Sequence, residues 1–220
     1  MRIGIVGTGN LALTLGRAWA GAGHSVSVTG RNRRHVVETA ARIGPATGAL
    51  EPADLGRHVD VVVLAVAWDG LVAALTLVGA GDGTLTGKTV IDCTNPVDHA
   101  TGELRPATGS AAQLVARAVP GAHVVKALHL FAGASWPYTG PGEEAPVVAV
   151  CGDRPEALAQ ADALIRGLGG RTAVIGGLAS ARQAEEAAGF VMRVVAAGHN
   201  PRFAVPDVNP AGRRDARATT

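Results

Sequence analysis

Close to the start of the chain an apolar run, Ile3-Gly-Ile-Val6, meets Gly7-Thr8-Gly9-Asn10-Leu11-Ala12, a turn of the form G-x-G-x-x-A. A strand running straight into such a turn and out into a helix constrains the fold more than any other feature here. Gly7 lets the chain reverse tightly, Gly9 lets a pyrophosphate approach the backbone, and Ala12 lets the helix pack close to the strand. The helix start then offers unpaired N–H groups to the phosphates. The apolar positions Leu11, Leu15, Ala18 and Trp19 keep helical spacing, and Ser25 to Thr29 supplies the next strand. The βαβ unit is closed within about thirty residues, and a dinucleotide is the expected ligand.

Further apolar runs at 59–66, 88–92 and 122–128 read as strands buried on both faces of a parallel sheet. Helices are expected over 11–22, 33–43, 69–78 and 110–118. The alternation predicts an α/β, Rossmann-like, doubly wound sheet. After a Gly- and Pro-rich stretch, a strand at 147–151, a helix at 155–168, a strand at 171–175 and a helix from 179 to about 197 read as an α/β extension too short to stand alone. The expected division is therefore a dinucleotide-binding domain over 1–131, a lid loop and C-terminal extension over 132–205 that prolongs the sheet and completes the cleft, and a mobile tail over 206–220.

Composition removes several classes of function. A net charge of +2 over 220 residues, with the arginines scattered, argues against nucleic acid. Every long apolar stretch is broken by charge, Gly or Pro, and the start lacks a signal-type pattern, so no membrane partner and a cytoplasmic location are expected. Cys93 and Cys151 fall near strand ends as small core residues, and the seven histidines have no metal-ligand spacing, so no metal is expected.

The end of the second strand selects the cofactor. An acid there would bind a ribose 2′-OH and repel a 2′-phosphate; this chain instead has Thr29-Gly30-Arg31-Asn32-Arg33-Arg34. A hydroxyl, backbone N–H groups and guanidiniums, of which Thr29, Arg31 and Arg34 are the candidates, suit a dianionic phosphate. NADP(H) is the favoured cofactor.

Lysine occurs only at 88 and 126, and Tyr138, the sole tyrosine, has none four residues on. The Tyr-x-x-x-Lys pair of short-chain dehydrogenases cannot form, and the last long helix lacks the lysine that β-hydroxyacid dehydrogenases use to protonate a carbonyl. Ligands of open parallel sheets bind beyond the carboxyl ends of strands. Those ends carry Ala65-Val-Ala67-Trp68, Cys93-Thr-Asn95-Pro96 and Ala127-Leu-His129-Leu-Phe131, followed by Trp136 and Tyr138 in a Gly/Pro loop. An apolar, aromatic wall of this kind favours a planar acceptor, with Phe131 among the pocket residues and Trp136 and Tyr138 read as a lid over it, burial in the core being the other reading. His129 titrates near neutrality and is the catalytic candidate, as proton donor or as positioner of the acceptor; a structural histidine bonded to backbone is the other reading.

Taken together, Gly7-Thr-Gly-Asn-Leu11, the Arg31 strand exit, Ala67-Trp68, Val125-Lys-Ala-Leu-His129, Val150-Cys-Gly-Asp153 and Gly176-Gly-Leu-Ala-Ser-Ala-Arg182 with Glu185 resemble the NADPH:coenzyme F420 oxidoreductases. The resemblance implies direct hydride transfer between nicotinamide C4 and deazaflavin C5, a step governed by placement rather than by a strong acid. It places Thr8, Gly9, Asn10 and Leu11 on the pyrophosphate, Arg31 on the 2′-phosphate, Ala67 and Trp68 beside ribose and nicotinamide, and His129 with Leu178 in the ring pocket. Coenzyme F420 becomes the implied co-substrate. Alternatives are an NADPH-dependent reductase of a small imine, enone or carbonyl compound, and a non-catalytic NADP-sensing module. The Ala-rich helix 179–197 could build a homodimer interface or pack within its own chain; both remain open.

Overall fold

The computed structural model describes residues 1–130 and 136–206. The apolar runs become eight strands: β1 (Arg2–Val6), β2 (Ser25–Thr29), β3 (Gly48–Ala49), β4 (Val61–Leu64), β5 (Thr89–Asp92), β6 (His123–Lys126), β7 (Val147–Gly152) and β8 (Arg171–Gly176). They form one sheet in the order β3-β2-β1-β4-β5-β6-β7-β8. Pairing is parallel throughout except between β6 and β7, where Lys126 faces Cys151 in antiparallel register. The first six strands have the doubly wound dinucleotide-binding order, in which ligands sit where the strand order reverses beside β1.

The helices are α1 (Asn10–Gly21), α2 (Arg33–Ile43), α3 (Leu55–His58), α4 (Leu71–Leu77), α5 (Ala111–Ala118), α6 (Pro155–Gly167) and α7 (Ala181–Ala196). Alternation along β4 divides the core between the two faces of the sheet. Val61 and Val63 join Leu15 and Trp19 of α1 and Leu164 and Ile165 of α6. Val62 and Leu64 join Leu71 and Leu75 of α4, Val115 of α5 and Ala181 and Ala184 of α7. Burial of both faces is what strands without polar alternation require. The Trp19 indole N–H donates to the Leu164 carbonyl at 3.0 Å, so the glycine-turn helix is bonded to α6 of the C-terminal part.

Boundaries differ from expectation where the chain bends into the cleft. β4 and β6 are shorter than the apolar runs 59–66 and 122–128, because Ala65 turns to pack on the glycine loop and Leu128 takes a left-handed conformation, φ 59°. α4 begins at Leu71, preceded by a 3₁₀ turn over Trp68–Gly70 rather than by a helix from Asp69. The two-residue β3 and the one-turn α3 were not expected, as Gly48-Ala49 and Leu55-Gly-Arg-His58 are too short for either period to register.

The aromatic loop requires a correction. Trp136 is 4% exposed and belongs to the core, its ring against Gly170, where an added Cβ would lie 2.9 Å from the indole. Tyr138 is half-buried on the same cluster, with its N–H on the Leu168 carbonyl at 2.8 Å and its hydroxyl on the Pro141 carbonyl at 3.1 Å. Neither side chain forms a lid over the strand ends. The loop folds back onto the end of α6, where burying two large rings is worth more than leaving them over a cleft. Phe131, and the tail 206–220 apart from Pro206, lie outside the described residues.

Candidate active site

Because β1, β2, β4, β5 and β6 are parallel, their carboxyl ends open along one edge of the sheet. Gly7 leaves β1 with φ 131°, and its N–H donates to the Thr29 carbonyl at 2.9 Å. A Cβ on Gly7 would run into the carbonyl of Ala65, so only glycine closes the turn. Gly9, the residue before α1, differs in kind. It has ordinary extended geometry, φ −82°, and no heavy atom lies within 4 Å of where its Cβ would be. No side chain caps the helix, so the N–H groups of its first turn, with Asn10 and Leu11, face that open space. This cradle fits a pyrophosphate, and Thr8 and Leu11 flank it half-buried.

Two cavities continue from the cradle. One of about 440 Å³ is lined by Val6, Gly30, Arg31, Ala67 and residues of α4. Arg31 is exposed there with no ion pair among the described residues, which leaves its guanidinium open to an anion. The two neighbouring candidates already have partners. The Thr29 hydroxyl is fully buried and donates to the Leu50 carbonyl at 3.0 Å, and Arg34 pairs with Glu38 at 2.8 Å on the surface of α2. The Thr29 expectation is corrected, because its hydroxyl is spent inside the sheet, while Arg34 keeps an exposed guanidinium on an i,i+4 pair.

The second cavity, about 230 Å³, shares Ala67 and Asp69 with the first and is walled by Val66, Trp68, Cys93, Asn95, Val97, His99 and Arg105. Arg105 pairs with Asp69 across its mouth. The expected residues Ala67, Trp68 and Asn95 therefore share one wall, Ala65 lies behind it against Gly7, and buried Pro96 holds the loop by accepting the Arg105 N–H at 2.8 Å. A larger hollow of about 810 Å³ lies on the outer face of α7 around Phe190, Arg193 and Phe203; it includes no strand end and no glycine-turn residue.

Beneath the second cavity lies a buried ionic cluster that sequence reasoning missed. Lys126 at the end of β6 has no exposed surface; its Nζ donates to Asp92 Oδ2 at 3.0 Å, to Glu185 Oε1 at 2.9 Å and to the Thr94 carbonyl. Asp92 Oδ1 accepts the Thr94 N–H at 2.9 Å and the Thr94 hydroxyl at 2.7 Å. Glu185, from α7, accepts the Ala111 and Ala112 N–H groups at the start of α5 at 2.9 and 3.2 Å. Burial pulls the lysine pKa down, but the two carboxylates outweigh it and hold the ammonium charged. A single charged residue inside the apolar run 122–128 was the available signal.

His129 follows the left-handed Leu128 and is 5% exposed. Burial, reinforced by the Lys126 charge and only partly offset by Asp92 and the Ala184 backbone, lowers its pKa to about 4. It is a neutral imidazole at pH 7, with neither ring nitrogen in a normal hydrogen bond among the described residues. Leu178 is buried on the α7 side, its N–H held by Asp153 Oδ1 at 2.8 Å. Burial also raises the Cys93 thiol well above its usual range, so it is not a nucleophile. Cys151 is likewise buried and unbridged, and no cluster able to hold a metal occurs among the described residues.

Residues 2–96 match the family described as NADP oxidoreductase, coenzyme F420-dependent. The match covers a little under half of the chain. It runs from β1 through β5 and takes in the cradle, the first cavity and the second as far as Asn95, with Val97, His99 and Arg105 beyond it. A protein from Arthrobacter sp. FB24 assigned as an F420-dependent NADP reductase superposes with a TM-score of 0.74 at 28% identity, over 90% of this chain and 95% of its own. A hypothetical protein from Sinorhizobium meliloti gives 0.70 at 27%, over 82% and 87%. Rattus norvegicus Metalloreductase STEAP3 is 28% identical over 84% of this chain, which spans 36% of that relative's length. A reductive aminase from Aspergillus terreus, at 20% identity and a TM-score of 0.64 over 90% of this chain and 63% of its own, shares the fold.

The two glycines give opposite expectations. Gly9→Val should fold, with a melting temperature close to wild type, yet show no NADPH binding by calorimetry; Gly7→Val should fail to fold. Retained NADPH affinity in folded Gly9→Val would contradict the cradle. Arg31→Ala should weaken NADPH by about 1.5 to 3 kcal/mol and leave NADH nearly unchanged, because only NADPH offers a charge-assisted partner. Equal losses for both cofactors in titration would make Arg31 structural.

Proposed function

We propose that the protein transfers a hydride between NADP(H) and a planar deazaflavin, coenzyme F420, held against the cavity end of the cleft. The observation that carries this reading is the enclosure of the ionisable side chains at the strand ends. His129 is enclosed and neutral, all three Lys126 protons are bonded, and the Cys93 thiol is buried. Carbon-to-carbon hydride transfer needs placement and exclusion of water; reduction of an imine or carbonyl also needs a proton.

Bound NADP(H) supplies or takes the hydride at its nicotinamide. The chain's part is to hold the diphosphate at Gly9 and the start of α1, the 2′-phosphate at Arg31, and the reacting end against Ala67, Trp68, Cys93 and Asn95. His129 and Leu178 are buried behind the cavity wall and back the acceptor side, with α7 and the C-terminal extension outside them. The family match over residues 2–96 and the Arthrobacter relative support the deazaflavin as acceptor.

Anaerobic mixing of NADPH with oxidised F420 should bleach the deazaflavin. NADPH deuterated at the transferred position should show a primary isotope effect and place the label on the deazaflavin. His129→Asn should lower the rate modestly and leave the pH profile unchanged at saturating NADPH, whereas loss of a general acid removes about 10²- to 10⁴-fold. Turnover with cyclic imines or ketones but not with F420 would overturn the reading in favour of a small-molecule reductase, and NADPH binding with no turnover would favour a sensing module.

A further inference from the structure

One amide in the cavity wall has only half of its hydrogen bonding complete. Asn95 donates through Nδ2 to the backbone carbonyl of His129 at 2.6 Å. That bond fixes the orientation of the amide, since a carbonyl can be met only by the NH₂ end. The remaining end, Oδ1, is shut off from bulk water and has no hydrogen-bond partner. Buried acceptors are rarely left unmet, and where they are, a ligand is one physical explanation.

The amide cannot swing to find a partner within the chain. Thr94 before it has its N–H and hydroxyl on Asp92 and its carbonyl on Lys126. Pro96 after it has a fixed φ and takes the Arg105 N–H on its carbonyl. Asn95 thus presents an acceptor of fixed direction, in a wall where Val66, Ala67, Trp68, Cys93 and Val97 are joined by the Asp69–Arg105 pair and by His99. This wall is at the end of the cleft away from Arg31, where the non-adenosine half of a dinucleotide lies if Arg31 holds the 2′-phosphate. A group that enters and satisfies Oδ1 must bring a hydrogen-bond donor, and at the nicotinamide end of a dinucleotide the carboxamide NH₂ is the donor carried by the ring itself.

We infer that Asn95 Oδ1 accepts a hydrogen bond from the carboxamide NH₂ of the nicotinamide and thereby sets which face of the ring is turned to the acceptor. The inference rests on the NADP(H) reading of the cleft and adds to it a residue that recognises the reacting ring. Asn95 does not donate to or take a proton from the reacting carbon; it is a specificity-determining positioning residue.

Calorimetric binding of three dinucleotides to wild type and to Asn95→Ala tests it. These are NADPH, the reduced 3-acetylpyridine analogue, in which a methyl replaces the NH₂, and the nicotinic acid analogue, in which a carboxylate does. Wild type should prefer NADPH over the acetylpyridine analogue by about tenfold, the worth of one hydrogen bond to an otherwise unmet buried acceptor. It should bind the carboxylate analogue more weakly still, because two oxygens would then face one another. In Asn95→Ala the preference should fall to within about twofold, through loss of NADPH affinity alone. Equal weakening of all three ligands would show that Asn95 only holds the His129 loop and would overturn the inference. So would a wild type that does not discriminate, a result that needs no variant to fold. Failure of NADPH itself to bind wild type would remove the reading beneath the inference and the inference with it; NADPH binding without discrimination removes the inference alone.

Discussion

The ammonium of Lys126 is the interaction on which the rest of this architecture depends. It sits with no exposed surface at the end of β6 and touches one carboxylate from β5, one from α7 and the backbone between β5 and the cavity wall. Two carboxylates around one ammonium would leave a net negative charge in the core. The Ala111 and Ala112 N–H groups at the α5 start and the Thr94 N–H and hydroxyl answer it. Such a cluster is expensive to desolvate and weak evidence for stability in itself, but removing one member typically costs about 3 to 5 kcal/mol because the others are left buried and uncompensated. It therefore fixes geometry: α7 cannot shift relative to β5 and β6 without opening it.

That rigidity reaches the reacting end of the cleft through the backbone. Thr94, clamped by Asp92 and Lys126, leads into Asn95, and Asn95 is bonded to His129 of the next strand end. Leu128 between Lys126 and His129 is a bulky residue at φ 59°, a conformation of a kind that costs on the order of 1 to 3 kcal/mol and persists only where the surroundings over-determine it. Burial, reinforced by the same lysine charge that holds the loop, keeps the adjacent imidazole neutral. Structure and electrostatics thus favour a site that places groups rather than one that passes protons.

The cofactor half was legible because its chemistry is local. Gly7, Gly9, Ala12 and Arg31 lie within thirty residues, and each role follows from a backbone constraint or a charge at a strand exit that a single segment reveals. The acceptor half was not, because its determinants are long-range. Lys126, Asp92 and Glu185 come from three elements, and only the oddity of a lysine in an apolar strand hinted at them. Trp136 and Tyr138 read as a lid because Gly and Pro surround them; their burial depends on Leu168 and Gly170, some thirty residues on. Thr29 and Arg34 had suitable side chains, and partners at Leu50 and Glu38 that composition does not disclose.

The central claim is that hydride transfer here proceeds by placement beside a neutral His129, and the charge on that ring can be read directly. With histidine ring nitrogens labelled, an NMR titration of the NADPH complex should find His129 neutral at pH 7 and protonating only towards about pH 4. Its folded pKa lies below that of the unfolded chain, near 6.5, so any stability it contributes is present above that value and is lost as pH falls from about 6.5 towards 4. A His129 midpoint at or above about 6.5 in the complex, with an imidazolium present at neutral pH, would contradict the account and make this residue a proton donor.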